Sequence, residues 1–408
     1  MRSHRQSIPL AFSLGLGLGL GLASSAAWAG VPDCSTLPNP VFIPGTTDIK
    51  PFLARVAPKL ETATGADQMT LVYQALGSCT AADYILAGTD LTGTAVYWTG
   101  AYNMDGTPVE ATCTVAASTQ ADLALSDVTV RTCTGADIPA GTGEFSSMVQ
   151  GFGFVVPPNS SQQAITATEG YFLYKFGGEV DYQVPPWTDP AFVFVRTPAA
   201  STQLLTGLAV GVPGNMWSAN LTASQSGSTA MIAAVAAENS TGNAEKTIGI
   251  LSLQRYDGVR DQVRILAFEA FGQECLGGGV YPDSTSTTFD KQNVRDGHYP
   301  IWGNLWAITA VGGTGAPSGL AAAQFITFLT GTASINGADP IGDAARVGAV
   351  PACAMKVSRA YDGAPLESFA PAEPCGCFFE SVTGTTDCET CSGTCAAGVC
   401  RFGYCEEN

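Results

Sequence analysis

Short apolar runs alternate with segments of helical period from residue 41 to residue 330, and few folds accommodate that order. "VFI" at 41–43 is followed by "PGTT" and by a helical pattern over 49–60, where Ile49, Phe52, Leu53, Val56 and Leu60 share one face. "MTLVYQAL" at 69–76 predicts a second strand, and "GSCTAADYILAG" a turn and a helix. Residues 93–116 alternate around "NMDGT", which predicts a hairpin. "ADLALSDV" at 121–128 predicts a third strand. A second series opens with "VQGFGFVV" at 149–156. It predicts a helix over 165–175, a strand over 191–196, helices over 201–211 and 226–238, and strands over 247–253 and 262–269. Beyond "NVRDGHYPIW" the pattern predicts a strand over 299–310, a helix over 319–330 and a last strand, "CAMKVSR", over 353–359. Strands alternating with helices predict parallel α/β layers. A chain of 408 residues has room for about two or three domains of roughly 150 residues.

The first 29 residues read as a leader outside this pattern. Arg2 and Arg5 precede an apolar stretch, "IPLAFSLGLGLGLGL", and "AWA" at 27–29 closes it with small residues, as in a secretory signal peptide. No other apolar run is long enough to cross a bilayer. The formal net charge is −17, and the leader holds two arginines and no acids, so the rest of the chain is more acidic still. That balance argues against nucleic acid and anionic lipid as partners. It leaves room for a small anion, whose binding depends on local donors. An exported chain with thirteen cysteines is expected to be oxidised, located in the periplasm or at the cell surface.

Three junctions between a strand and a helix are built alike, from small and hydroxyl residues. They are "GTT" at 45–47, "GSCT" at 77–80 and "RTPAAST" at 196–202. Open N–H groups at a helix start attract anions, and the helix dipole adds to this. The same residue types are ordinary helix caps. Arg196 is a surface arginine on one reading and, on the other, a fork suited to an oxyanion or carboxylate. Asp127 ends its strand either as a cap or as an acceptor for a proton carried by a ligand. In open α/β sheets, ligands bind beyond the carboxyl ends of the strands.

With these segments in view, residues 40–365 resemble the phosphate-binding proteins of bacterial ABC importers, a type 2 periplasmic binding protein family. "PGTTDIKP" resembles the family's glycine-rich turn ending in a ligand-binding threonine, and "VYQALGSCTAADYILAG" its second segment. "ADLALSDV" resembles its strand ending in Ser-Asp, and "VFVRTPAAST" its arginine followed by a hydroxyl cap. The resemblance implies a ligand site made by Thr46, Thr47, the backbone of Asp48, Ser78, Asp127, Arg196, Ser201 and Thr202. Asp127 would accept the proton of phosphate, and Arg196 would give the charged contact. The chain departs from the family at Ala200 and Ser201, so one hydroxyl is missing or displaced, and at Cys79, where serine or glycine is usual.

The fold implied is a two-lobed α/β structure with a ligand cleft between the lobes, closing by a hinge. Lobe one would take 31–150 and 296–365, and lobe two 151–295. The function implied is capture of a tetrahedral oxyanion, phosphate first, for the membrane subunits of an ABC importer. No cofactor or metal is expected, and no nucleic acid. An enzyme is not expected either: His298 is the single histidine after the leader, and there is no G-x-S-x-G, P-loop or dinucleotide fingerprint.

The tail, residues 371–408, holds seven cysteines: Cys375, Cys377, Cys388, Cys391, Cys395, Cys400 and Cys405. It reads as a self-contained disulfide-rich module, and the exported context favours disulfides over zinc at Cys388 and Cys391. Such a tail also suits a binding fold reused for surface adhesion or assembly. Sequence does not fix connectivity. The pairs expected in the main body are Cys113 with Cys133, Cys275 with Cys353, and Cys34 with Cys79; otherwise a free thiol would sit beside the ligand site.

Overall fold

The computed structural model describes residues 30–273, 277–384 and 386–407. The expected leader and Cys275 lie outside the described residues. Among these residues, no helix is long and apolar enough to cross a membrane.

The first series folds as the pattern predicts. β1 (Pro40–Gly45) turns into α1 (Lys50–Glu61), which buries Phe52, Leu53, Val56 and Leu60. β2 (Thr70–Ala75) turns into α2 (Ser78–Ala87). β3 (Thr94–Tyr102) and β4 (Pro108–Thr114) form the hairpin, and β5 (Ala124–Ser126) leads to the short α3 (Val130–Thr134). β1 pairs in parallel with both β2 and β5, so three strands end at the same edge.

β6 (Thr142–Val156) follows, starting well before the predicted run. Next come β7 (Ala164–Thr166), α4 (Ala167–Phe176), β8 (Val195–Arg196), α5 (Ser201–Ala209), β9 (Ser224–Gln225) and α6 (Ser228–Ala237). β10 (Gly249–Ser252), α7 (Leu253–Asp257), β11 (Arg264–Ile265) and β12 (Ala267–Glu269) complete this series. The chain returns through α8 (Gln292–Arg295), β13 (Trp302–Ala310), α9 (Leu320–Thr330), α10 (Pro340–Arg346) and β14 (Val350–Pro351).

β6 serves both halves of the molecule. Residues 142–151 pair with β13, which pairs in turn with β5; residues 152–156 pair with β10 and β11. In the second half β8 lies parallel to β9, and β7 parallel to β12. The architecture is therefore two-lobed α/β, with β6 carrying the chain from one sheet region to the other.

The two largest buried clusters are each centred on one of these halves. One gathers Val41, Phe52, Trp98, Leu125, Leu305 and Phe325. The other gathers Phe154, Tyr174, Trp187, Leu205, Met231 and Phe268. Each fully buried large apolar side chain contributes on the order of 1.5–3 kcal/mol.

Three predicted strands differ, the run at 262–269 splitting into β11 on β6 and β12 on β7. The run at 191–196 keeps only β8, because the Asp189 side chain caps a 3-10 turn over Pro190–Phe192. The last strand is replaced by a 3-10 turn at Ala352–Ala354 and a two-residue ladder at Val357–Ser358. Before it, the unpredicted α10 begins at Pro340 behind its Asp339 cap, a favourable start for a helix.

The disulfides correct the expected pairs. Cys34 joins Cys113, not Cys79, because the N-terminal segment runs beside β4, with Thr114 N donating to Pro32 O at 2.8 Å. Cys79 joins Cys133, because the first turn of α2 packs on α3, so its thiol is not free. Cys353 joins Cys375 rather than Cys275.

That last bond ties the tail to the body. α11 (Gly376–Thr383) places Phe379 fully buried in the second core, and Arg295 pairs with Glu380 at 2.9 Å. The expected self-contained module is thus confined to the end of the chain, where Cys377–Cys388, Cys391–Cys400 and Cys395–Cys405 close small loops. Cys388 and Cys391 are both oxidised, so neither offers the thiolate that zinc requires.

Candidate functional site

The parallel strands deliver their C-terminal ends to one buried cluster. β1 ends at Gly45 and presents Thr46, Thr47 and Asp48; the Thr46 amide donates to Leu125 O at 3.0 Å, which ties this turn to β5. β2 ends before Gly77, whose φ of 94° only glycine adopts without strain, and Ser78 opens α2. β5 ends directly before Asp127. From the second half, β8 ends with Arg196, and α5 begins with Ser201 and Thr202.

The cluster is almost sealed from water. Thr46, Asp48, Ser78, Asp127, Arg196, Ser201 and Thr202 are each 4% exposed or less. Thr47 is half-buried at its side. Asp127 is the hub: its Oδ2 accepts from Thr46 Oγ1 at 2.6 Å and from Ser201 Oγ at 2.9 Å, and its amide donates to Ser78 Oγ at 3.2 Å. The hydroxyl displaced at 200–201 is therefore turned into the cluster.

Asp48 forms a second hub, through its side chain as well as its backbone. Its amide donates to Thr46 Oγ1 at 3.3 Å. Its Oδ1 accepts from Ser228 Oγ and from Ser252 Oγ, each at 2.8 Å, and its Oδ2 from Thr202 Oγ1 at 3.5 Å. Arg196 lies alongside, with Nε donating to Gln225 O at 3.2 Å and Nη1 to Ser228 Oγ at 3.4 Å.

Sequence reasoning missed Ser228 and Ser252. Ser228 opens α6 straight after Gly227, the same glycine-then-hydroxyl arrangement that opens α2. Ser252 ends β10 directly before α7 and carries no motif of its own. His298, by contrast, is exposed, and its carbonyl accepts from Gln273.

The electrostatics follow from burial. Two carboxylates and one guanidinium share a space with little water. Burial raises the Asp127 carboxyl from 3.8 to about 7, and the facing Asp48 pushes the same way. Asp127 Oδ1 has no hydrogen-bond partner among the described residues. Burial lowers Arg196, while Asp48 and Asp127 oppose that shift. The cluster therefore offers hydroxyl donors, one fixed cation, and a carboxyl able to hold or release a proton near neutral pH. Such a set can grip a small polar solute whose own atoms include both acceptors and an O–H.

No family model and no curated protein matches the sequence. Solved structures do resemble it in fold. One from Clostridium perfringens, described as a phosphate ABC transporter substrate-binding protein with bound phosphate, is 14% identical over 77% of this chain and 99% of that one, with a TM-score of 0.46. An ABC-type phosphate transport receptor from Vibrio cholerae is 13% identical over 67% of this chain and 87% of that one, with a TM-score of 0.40. PstS from Borrelia burgdorferi is 14% identical over 77% of this chain and 99% of that one, with a TM-score of 0.38. At this identity the likeness is one of fold alone.

Proposed function

We propose that this chain is an exported solute-binding protein that captures a tetrahedral oxyanion, hydrogen phosphate first, between its two lobes and presents it to an ABC importer. The observation that carries this reading is Asp127. It is fully buried, its Oδ1 is unpartnered among the described residues, its carboxyl is poised near neutrality, and Arg196 stands in the same cluster. A carboxyl beside an anion site makes sense when the ligand carries a proton. Near neutral pH phosphate keeps at least one O–H, and sulfate has none. In its ionised form the carboxylate accepts that proton's hydrogen bond but meets sulfate as repulsion, which discriminates by an unfavourable interaction.

Closure of the lobes over the ligand would be a hinge motion in the strands and loops that join them, with β6 the obvious axis. Thr46, Ser78 and Asp127 would hold the ligand from the first half, and Arg196, Ser201, Thr202 and Ser228 from the second. Titration calorimetry with phosphate, sulfate, molybdate and an amino-acid panel tests the reading. Phosphate binding with no heat from sulfate supports it; binding of an amino acid and of no oxyanion overturns it.

A further inference from the structure

Asp48 precedes α1, where an aspartate ordinarily caps its own helix. It does not do so. The N-cap of α1 is Ile49, which makes no side-chain cap, and the hydrogen bonds of the Asp48 carboxylate go to other elements. It reaches instead three hydroxyls at the starts of other helices: Thr202 in α5, Ser228 in α6, and Ser252 directly before α7. All three belong to the second half of the molecule, while Asp48 belongs to the first. Arg196 donates to the same Ser228.

A carboxylate has the charge and the acceptor edge of an oxyanion. Gathered hydroxyls at helix starts, with an arginine behind them, form a set of donors that suits either. We propose that Asp48 is an internal ligand: its carboxylate occupies the oxyanion cradle, latches the lobes together, and must be displaced before a dissolved oxyanion can bind. This rests on the oxyanion reading of the site and adds a competitor to it. Two buried anions cannot share one arginine cheaply in a space of low dielectric. The fraction of molecules whose cradle is free of Asp48 therefore scales the apparent affinity for any external anion.

The test is calorimetry of the full chain with inorganic phosphate, in wild type, Asp48→Ala and Asp48→Asn. Removing the carboxylate frees the donors, so Asp48→Ala is expected to bind phosphate at least about tenfold more tightly than wild type. Asp48→Asn, uncharged but still filling the space, is expected to fall between them, and it keeps the comparison available if the alanine variant does not fold. Small-angle scattering without ligand gives a second readout: Asp48→Ala should be more extended than wild type and should contract when phosphate is added.

Equal or weaker phosphate binding in folded Asp48→Ala and Asp48→Asn overturns the internal-ligand role. If wild type binds phosphate in that case, the proposed function stands without it. If only the variants bind, the internal ligand is supported and the reading of the wild-type chain as a phosphate receptor falls. If no version binds, both fall.

Discussion

Ser252 donates to Asp48 Oδ1 across 2.8 Å, although 204 residues separate them in the chain. The bond joins the end of β10 to the turn after β1, and therefore one half of the molecule to the other. The hydroxyls of Thr202 and Ser228 reach the same carboxylate across the same division. The contact between the halves and the proposed ligand site thus share the same atoms.

Arg196 is the single cation among the clustered residues described above. On the proposed reading, Arg196→Ala would remove a charged hydrogen bond to a desolvated anion, an expected cost of about 2–4 kcal/mol in binding. Calorimetry with phosphate reads this directly, with circular dichroism checking that the variant folds. An unchanged dissociation constant would remove Arg196 from the site.

Asp127 also sets a pH dependence of stability. Its carboxyl is raised from 3.8 to about 7, so between those values the folded chain holds a proton that the unfolded chain has lost. Stability from this group is full below pH 3.8 and declines as pH rises toward about 7. Asp127→Asn should flatten that part of the curve. Denaturation midpoints at several pH values check it; parallel curves for both proteins would contradict the shift.

Gly303 on β13 lies against the site from behind. A Cβ there would collide with the backbone oxygen of Asp127 and come within 2.8 Å of Leu205 Cδ1. The backbone oxygen cannot move without shifting Asp127. Gly303→Ala should weaken oxyanion binding by at least about tenfold while the chain still folds, since overpacking costs about 1–3 kcal/mol. Wild-type affinity in this variant would show that the strand yields instead.

Much of this was legible in the sequence, and the reasons are local. Helical period and strand alternation locate β1, α1, β2, α2 and α5 because short-range apolar spacing determines them. Asp127 and Arg196 stand out because a charge ending an apolar run is conspicuous. Ser228 and Ser252 are uncharged residues in common settings, and only the tertiary packing turns them toward Asp48. The Asp48 side chain was hidden for a similar reason: its position suits a helix cap, and nothing nearby in sequence shows the carboxylate facing the opposite way. Disulfide partners were hidden because they depend on which strands lie side by side; Cys34 reaches Cys113 only through the edge pairing of Asp33 with Thr114.

The tail is structurally committed to the body through Cys353–Cys375 and Phe379. Truncation after Ala370 should lower the melting temperature, because it removes a cross-link and a core aromatic whose loss alone costs about 3–5 kcal/mol. Phe379→Ala should reproduce part of the loss. A truncated chain that melts at the wild-type temperature would show the tail to be an appendage.

The central claim is that Asp127 selects a protonated oxyanion. Competition titrations of phosphate and sulfate against wild type and Asp127→Asn test it most directly. Wild type should bind phosphate and reject sulfate. The asparagine can turn its amide to donate, so the variant should narrow the gap by at least about tenfold, since each 1.4 kcal/mol of lost discrimination is a factor of ten. Equal rejection of sulfate by the two proteins would contradict the account and leave Asp127 as a buried structural acid.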